Sequence, residues 1–172
     1  MRALVVYESM FGNTEEIARA IGAGLAEQLE VDVISINHAP HTVSAEVSLL
    51  LVGGPTHAFS LSRKRTREDA VRQGAHAITE SGLREWLDQF QPAGSQLHVR
   101  TFDTRVTKVR RLPGSAAAAA ARRARRRGLS HVHRGESFYV TGVAGPLDAH
   151  EAERATEWGR QVARETVPGL NA

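Results

Sequence analysis

The segment from Ala3 to Tyr7 is a short, uninterrupted apolar run, and it restricts the possible folds more than any other stretch. Strands covered by helices on both faces have this pattern, whereas half-exposed strands alternate between apolar and polar residues. Four aliphatic residues then recur at every fourth position: Ile17, Ile21, Leu25 and Leu29. This stripe predicts an amphipathic helix that runs to about Glu30, with Asn13 as its N-cap and Glu16 completing a capping box. A buried strand leading into a helix is the repeating unit of an α/β fold.

Strand and helix patterns alternate along the rest of the chain. Further strands are predicted at residues 31–36, 47–52, 97–102 and 137–142. Helical segments are predicted in pieces from 66 to 90, and Pro92 and Gly94 end them. A second helix is predicted at 115–127, closed by Gly128. The last helix is predicted to run from a cap at Asp148 to 166. The link at 37–46 has room for one or two helical turns. Five alternations predict an α/β sandwich with a mostly parallel sheet, and 172 residues suit one domain spanning 1–172.

Composition excludes several classes of site. The chain has no cysteine, which rules out disulfides, thiolate catalysis and cysteine-based zinc sites. The pairs His38/His41 and His131/His133 have metal-like spacing, but no third or fourth ligand accompanies them, so no metal site is expected. No stretch approaches the roughly 18 apolar residues of a membrane span, and the first residues lack signal-peptide features. We therefore expect a cytoplasmic protein without a membrane partner.

The net charge of +3 hides an uneven distribution. Residues 100–134 carry 11 basic groups against Asp103 alone, whereas residues 1–60 carry 2 basic and 7 acidic groups. The arginines at 122–127 end a predicted helix, where a solvated basic face is the ordinary interpretation. Such asymmetry bears on binding partners and predicts an acidic one. Nucleic acid is a less suitable partner because no aromatic residues are interleaved for base stacking.

The turn after the first strand has the chemistry of a phosphate site. In parallel sheets, ligands bind beyond the carboxyl ends of the strands, and a helix N-terminus there offers free N–H groups. Ser9, Asn13 and Thr14 add short polar side chains. A P-loop would need the sequence Gly-Lys-Ser/Thr, and a dinucleotide-binding fingerprint would need three spaced glycines. Neither pattern is present. The pattern predicts a phosphate-bearing cofactor held by uncharged donors.

The sequence from Tyr7 to Ala18, YESMFGNTEEIA, resembles the phosphate loop of flavodoxins. Its Ser-Met-aromatic-Gly variant is similar to that of flavodiiron proteins and of quinone reductases of the tryptophan-repressor-binding-protein type. The resemblance implies FMN binding, a flavodoxin-like three-layer sandwich, a five-stranded parallel sheet of order 2-1-3-4-5, and one-electron or two-electron redox work.

Two further segments fall where this family has its other flavin loops. The resemblance implies that thirteen residues bind FMN: Ser9, Met10, Phe11, Gly12, Asn13, Thr14, Pro55, Thr56, His57, Ala58, Phe59, Asp103 and Thr104. His57 either donates to flavin N5 or O4 or caps a turn. Asp103 either accepts from the ribityl chain or ring N3–H, or pairs with a neighbouring arginine.

The chain departs from the family pattern in three respects. Phe11 replaces a third hydroxyl of the phosphate loop. Neither Trp86 nor Trp158 lies in a flavin loop, which leaves Phe59 and His57 to contact the ring. The sequence pI is about 9.9, whereas electron-transfer flavodoxins are usually acidic. Nearby cations stabilise added negative charge, so we expect a less reducing flavin than in acidic flavodoxins.

The leading functional hypothesis is an FMN-binding electron carrier that docks through a basic surface on an acidic partner. An alternative is an FMN-dependent NAD(P)H:quinone oxidoreductase, with the cations from Arg63 to Arg67 binding the nucleotide phosphates. A second alternative is a flavin-free interaction module that uses the arginine-rich helix.

Overall fold

A computed structural model describes residues 1–76, 80–92, 96–133 and 135–166. The strands are β1 (Arg2–Tyr7), β2 (Glu30–Ser35), β3 (Thr42–Val43), β4 (Val47–Pro55), β5 (Gln91–Pro92), β6 (His98–Val106), β7 (His131–Val132) and β8 (Glu136–Val140). The helices are α1 (Asn13–Ala26), α2 (Lys64–Arg72), α3 (Leu83–Gln89), α4 (Ala116–Arg126) and α5 (Glu151–Thr166). None of the described helices is long and apolar enough to cross a membrane.

The main sheet is parallel and has the order β2-β1-β4-β6, with β7 and β8 both paired to the outer side of β6. The predicted order 2-1-3-4-5 is confirmed, but the sheet has six strands because the fifth position is divided. β7 pairs with the start of β6 and β8 with its end. Between them, a Cβ on Gly135 would lie 2.3 Å from the Thr101 carbonyl oxygen, so only glycine permits this approach.

Helices cover both faces of the sheet. The stripe predicted on α1 is buried against α5 and one face, while α3 and α4 cover the other face. Gly24 and Gly159 let α1 and α5 meet closely, since a Cβ on Gly24 would lie 2.0 Å from the Thr156 carbonyl oxygen. This arrangement places the start of α1 beside the carboxyl ends of β1, β4 and β6, an end of the sheet that we call the carboxyl edge.

Several predicted boundaries were wrong. The N-cap of α1 is Gly12 rather than Asn13, and no side chain caps this helix, so the capping box does not form. α1 ends at Ala26, four residues before the predicted end. α2 begins at Lys64 rather than Thr66, and the predicted helical pieces end with α3 at Gln89. Pro92 lies in β5, whereas Gly94 is outside the described residues.

Two more differences arise from contacts that local patterns do not show. The predicted helical turn at 37–46 is instead the short strand β3, which pairs with β5. Asp148 does not begin the last helix, since α5 starts at Glu151. The Asp148 carboxylate accepts a hydrogen bond from the Thr107 hydroxyl on the loop after β6.

Candidate functional site

A cleft of about 300 Å³ opens at the carboxyl edge. Its walls come from the turn after β1, the end of β4, helix α2, the end of β6 and the loop after β8. Ten of the thirteen predicted site residues line it: Ser9, Met10, Phe11, Asn13, Thr14, Pro55, Thr56, His57, Ala58 and Thr104. Gly12, Phe59 and Asp103 are not among the lining residues. The volume lies at the lower end of the range for ligand pockets.

The turn after β1 presents free hydrogen-bond donors to the cleft. The uncapped start of α1 leaves N–H groups without side-chain acceptors. Gly12 has φ of 90°, in the left-handed region, and a Cβ built on it would meet nothing within 4 Å. The Ser9 hydroxyl accepts from the Gly12 N–H at 3.2 Å, and the Thr14 and Thr104 hydroxyls are 2.7 Å apart. The open space beside these donors suits an oxyanion.

The loop after β4 is a tight turn held in an unfavourable conformation. The backbones of His57 and Ser60 exchange two hydrogen bonds of 2.9 and 3.0 Å. Between them, Ala58 and Phe59 have φ of 46° and 62°. Left-handed conformations of non-glycine residues cost about 1–3 kcal/mol each and occur often at functional sites. The turn leaves the Phe59 side chain 43% exposed to solvent, outside the cleft.

The His57 backbone closes this turn, which is one of the two roles left open by the sequence, and the residue also lines the cleft. Donation from His57 to flavin N5 or O4 stays a prediction. Burial lowers the pKa of His57, and the positive charge of Arg67 lowers it further. The imidazole is therefore neutral near pH 7 and has one donor nitrogen and one acceptor nitrogen.

Asp103 lies on the other side of the sheet. The interpretation of residues 102–104 as a loop was wrong, because β6 continues to Val106. The Asp103 side chain is fully buried, and its Oδ2 accepts from the Ala117 N–H at 2.8 Å. Burial raises the pKa of this carboxyl. Side chains alternate along a strand, so Thr104 faces Thr14 and the cleft while Asp103 faces α4.

Arg105 adds a cation that sequence reasoning did not assign to the site. It lines the cleft, yet it is only 7% exposed. Its Nη2 donates to the carbonyl oxygens of Val109 and Leu112 at 2.7 and 3.1 Å, which fixes the guanidinium. Its Nε is buried without a hydrogen-bond partner.

A buried polar network lies behind the cleft and was also missed. The fully buried carboxylate of Glu8 accepts from the Ser62 hydroxyl at 2.5 Å and from the Leu83 N–H at 2.8 Å. Arg67, itself 6% exposed, donates to Ser62 at 3.1 Å and contacts Glu85 at 3.3 Å. Burial raises the pKa of Glu8. The network therefore fastens the end of the loop after β4 to β1, α2 and α3.

Two walls of the cleft carry no motif in the sequence. Helix α2 supplies Thr66, Asp69, Ala70 and Gln73, and the region around β8 supplies Val140 and Val143. Only the general expectation that loops at the carboxyl edge bind ligands points to them.

The cations from Arg63 to Arg67 do not act as one cluster. Arg67 is buried in the network described above, whereas Arg63, Lys64 and Arg65 are exposed at the start of α2. None of these four residues lines the cleft.

The histidine pairs do not form a metal site in the part of the chain that the structure describes, where no group of three metal-ligating side chains is close enough to hold an ion. His98 stacks on His131 and His133, with ring centroids 4.9 and 5.6 Å apart.

Comparison with known proteins gives a family match over part of the chain and many matches to the fold. Residues 5–74, which include the turn after β1 and the loop after β4, match the sequence model of the flavodoxin family. The chain has a flavodoxin-like fold. No curated protein sequence matches it significantly. Flavodoxins are FMN-binding flavoproteins.

Solved structures share the fold of this flavodoxin-like protein. A flavodoxin from the domain Archaea is 21% identical, with 96% of this chain and 99% of that chain covered and a TM-score of 0.64. Oxidised flavodoxin 2 from Bacillus cereus is 20% identical, with the same coverage and a TM-score of 0.66. A WrbA-like flavodoxin protein from Agrobacterium tumefaciens is 15% identical, with 96% of each chain covered and a TM-score of 0.53.

Proposed function

We propose that this flavodoxin-like protein is an FMN-binding electron carrier that docks on acidic partners. The observation that carries the proposal is the uncapped start of α1, which opens into a cleft of suitable size beside the Ser9 and Thr14 hydroxyls. A phosphate dianion at this position receives main-chain and hydroxyl donors and the favourable end of the helix dipole.

The residues present fit FMN. Ser9, Asn13 and Thr14 and the N–H groups of α1 would hold the phosphate. Met10, the backbone around His57 and the wall of α2 would enclose the rest of the molecule. When bound, FMN supplies the electron-transfer chemistry, while the protein positions it and sets its electrostatic surroundings. Arg105 contributes a fixed positive charge in the wall, which favours added negative charge in the cleft.

The docking surface is proposed at the carboxyl edge rather than on α4. Six exposed cations lie at the start of α2 and in the loop after β6, next in sequence to residues that line the cleft: Arg63, Lys64, Arg65, Lys108, Arg110 and Arg111. Among the described residues, none of the six has a carboxylate within 4 Å. The arginines at the end of α4 lie near the opposite edge, since Arg125 donates to the Val132 carbonyl in β7. Unpaired cations near an electron-transfer site attract anionic partners.

The alternative is an FMN-dependent NAD(P)H:quinone oxidoreductase. The phosphate-binding cluster proposed for it loses Arg67 to the buried network. Turnover of NADPH with a quinone and no added reductase would favour the enzyme, whereas a carrier shows none.

The phosphate site can be tested by comparing FMN with riboflavin, which lacks the phosphate. We expect apoprotein to bind FMN at least about a hundredfold more tightly, because charge-assisted hydrogen bonds to the phosphate supply a few kcal/mol. Quenching of flavin fluorescence measures both dissociation constants. Equal affinities would contradict a phosphate site at α1, and a colourless protein that binds neither flavin would refute the cofactor.

The docking surface can be tested with small charged electron acceptors. We expect Lys108→Gln/Arg110→Gln/Arg111→Gln to slow oxidation of the reduced flavoprotein by ferricyanide, an anion, about three- to tenfold at low salt, with a smaller effect at high salt. The matched control Arg122→Gln/Arg126→Gln/Arg127→Gln also removes three exposed charges, on and just after α4. Stopped-flow absorbance gives the rates, and an equal loss in the control would contradict a localised docking surface.

A further inference from the structure

A second basic cavity lies on the opposite side of β6 from the turn after β1. This groove, of about 340 Å³, runs between α4 and the strands β6 and β8. It is lined by Arg105, Gly114, Ser115, Ala117, Ala118, Ala121, Arg122, Arg125, Gly135 and Ser137. The alanines explain why it exists, because their short side chains leave space between the helix and the strands.

The lining is cationic. Three arginines and two serines are among the lining residues, and none of the lining residues is acidic. Among the described residues, Arg105, Arg122 and Arg125 have no carboxylate within 4 Å, in contrast to Arg123, which pairs with Asp88 at 2.5 Å. The buried carboxyl of Asp103 does not line the groove; its Oδ2 accepts from the Ala117 N–H, and its Oδ1 has no hydrogen-bond partner. An anion in the groove would offset three positive charges.

Arg105 provides the strongest sign of a ligand. Its side chain is more than nine-tenths buried, and it lines the groove, but its Nε lacks a hydrogen-bond partner. Leaving a buried donor of a charged group unpaired is costly, so such groups are usually satisfied by a partner.

The shape of the groove indicates the size of the anion. Arg122 and Arg125 are three residues apart and therefore share one face of α4. Seven residues separate Ser115 from Arg122, which corresponds to about 10 Å of helix. Because the cations are spread along the groove, one small ion at either end would not contact all of them.

We propose that this groove binds a small molecule with two linked phosphoryl groups, held by Arg105 and Ser115 at one end and by Arg122 and Arg125 at the other. Arginine suits the role because its planar fork donates two hydrogen bonds to one phosphate. The site is separate from the cofactor cleft, although Arg105 lines both, and the proposal does not depend on FMN binding.

The test uses inorganic pyrophosphate as the probe and isothermal titration calorimetry at constant ionic strength. We expect Arg122→Gln/Arg125→Gln to weaken pyrophosphate binding at least about tenfold, because two charge-assisted contacts are lost. Arg127→Gln is the matched control, since Arg127 is an exposed arginine next to the same helix that does not line the groove. FMN affinity should remain unchanged in both variants, which separates this site from the cofactor cleft.

Three results would overturn the proposal. The first is pyrophosphate binding no stronger than that of chloride at the same ionic strength, and the second is an equal loss of affinity in the Arg127 control. The third is displacement of FMN by pyrophosphate, which would place the anion at the start of α1 instead. If the protein binds no FMN, the effect of Arg122→Gln/Arg125→Gln on pyrophosphate binding still shows whether the groove is the binding site.

Discussion

Replacing Glu8 with alanine is expected to lower the free energy of unfolding by about 2–4 kcal/mol at pH 5, because buried hydrogen-bond donors lose their acceptor. The Leu83 N–H and the Ser62 hydroxyl both donate to Glu8 and are themselves buried. Arg67 depends on Ser62 in turn, so the loss extends to a buried cation. Urea denaturation of the apoprotein measures the change.

The effect of Glu8→Ala should depend on pH. Burial raises the pKa of Glu8, so the folded protein retains this proton at pH values where the unfolded chain has released it. The contribution of Glu8 is therefore complete below its unfolded pKa and decreases as the pH rises through its folded pKa. The stability difference between wild type and Glu8→Ala should be largest in acid and narrow toward neutral pH.

Two variants control this experiment. Glu46→Ala removes an exposed glutamate and should change stability by less than about 0.5 kcal/mol. Glu8→Gln keeps an oxygen for the Leu83 N–H and should cost less than Glu8→Ala. A Glu8→Ala protein as stable as Glu46→Ala at pH 5 would show that the buried network does not hold this part of the fold.

The alternation of elements was predictable because it is a local property. The apolar run in β1 and the four-residue spacing on α1 show directly which of their residues are buried. The order of the sheet followed from the family resemblance. The turn after β1 was readable in part: the helix start next to Ser9 and Thr14 was predicted, whereas the cap predicted at Asn13 was wrong.

Residues that depend on strand length or on distant partners were misassigned or missed. Asp103 was assigned to a loop because nothing local shows that β6 continues to Val106, and one strand position decides whether a side chain faces the cleft or α4. Glu8 and Arg105 are charged residues in buried positions, where sequence patterns predict exposure. Their partners lie elsewhere in the chain or are main-chain groups.

The positions of the basic groups could not be predicted without knowing the direction in which α4 runs. The sequence shows where arginines cluster, but α4 begins beside Thr56 at the carboxyl edge and runs back along the sheet. Its arginine-rich end is thereby carried away from the cleft, while Lys108, Arg110 and Arg111 follow the end of β6, which lines the cleft. The chain therefore has two separate basic surfaces, one after β6 and one at the end of α4. The net charge of the sequence does not distinguish them.

The most demanding test of the cofactor site adds a charge to the phosphate turn. Gly12→Asp is expected to weaken FMN binding at least about a hundredfold more than Gly12→Asn, because an added carboxylate repels the phosphate dianion. Two unit charges about 4 Å apart near a protein surface interact with about 4 kcal/mol, and each 1.4 kcal/mol corresponds to about tenfold in affinity. Fluorescence titration of both apoproteins measures the effect.

The comparison isolates charge because aspartate and asparagine have nearly the same size and both tolerate a positive φ better than most residues. A Cβ at Gly12 meets nothing within 4 Å, so neither side chain clashes with the apoprotein, and the backbone strain at φ of 90° is shared. A carboxylate near a helix N-terminus is also favourable for the helix itself. Gly12→Asp should therefore be at least as stable as Gly12→Asn without FMN and less stable than it at saturating FMN. Equal FMN affinities in the two variants would mean that no phosphate is bound at the start of α1.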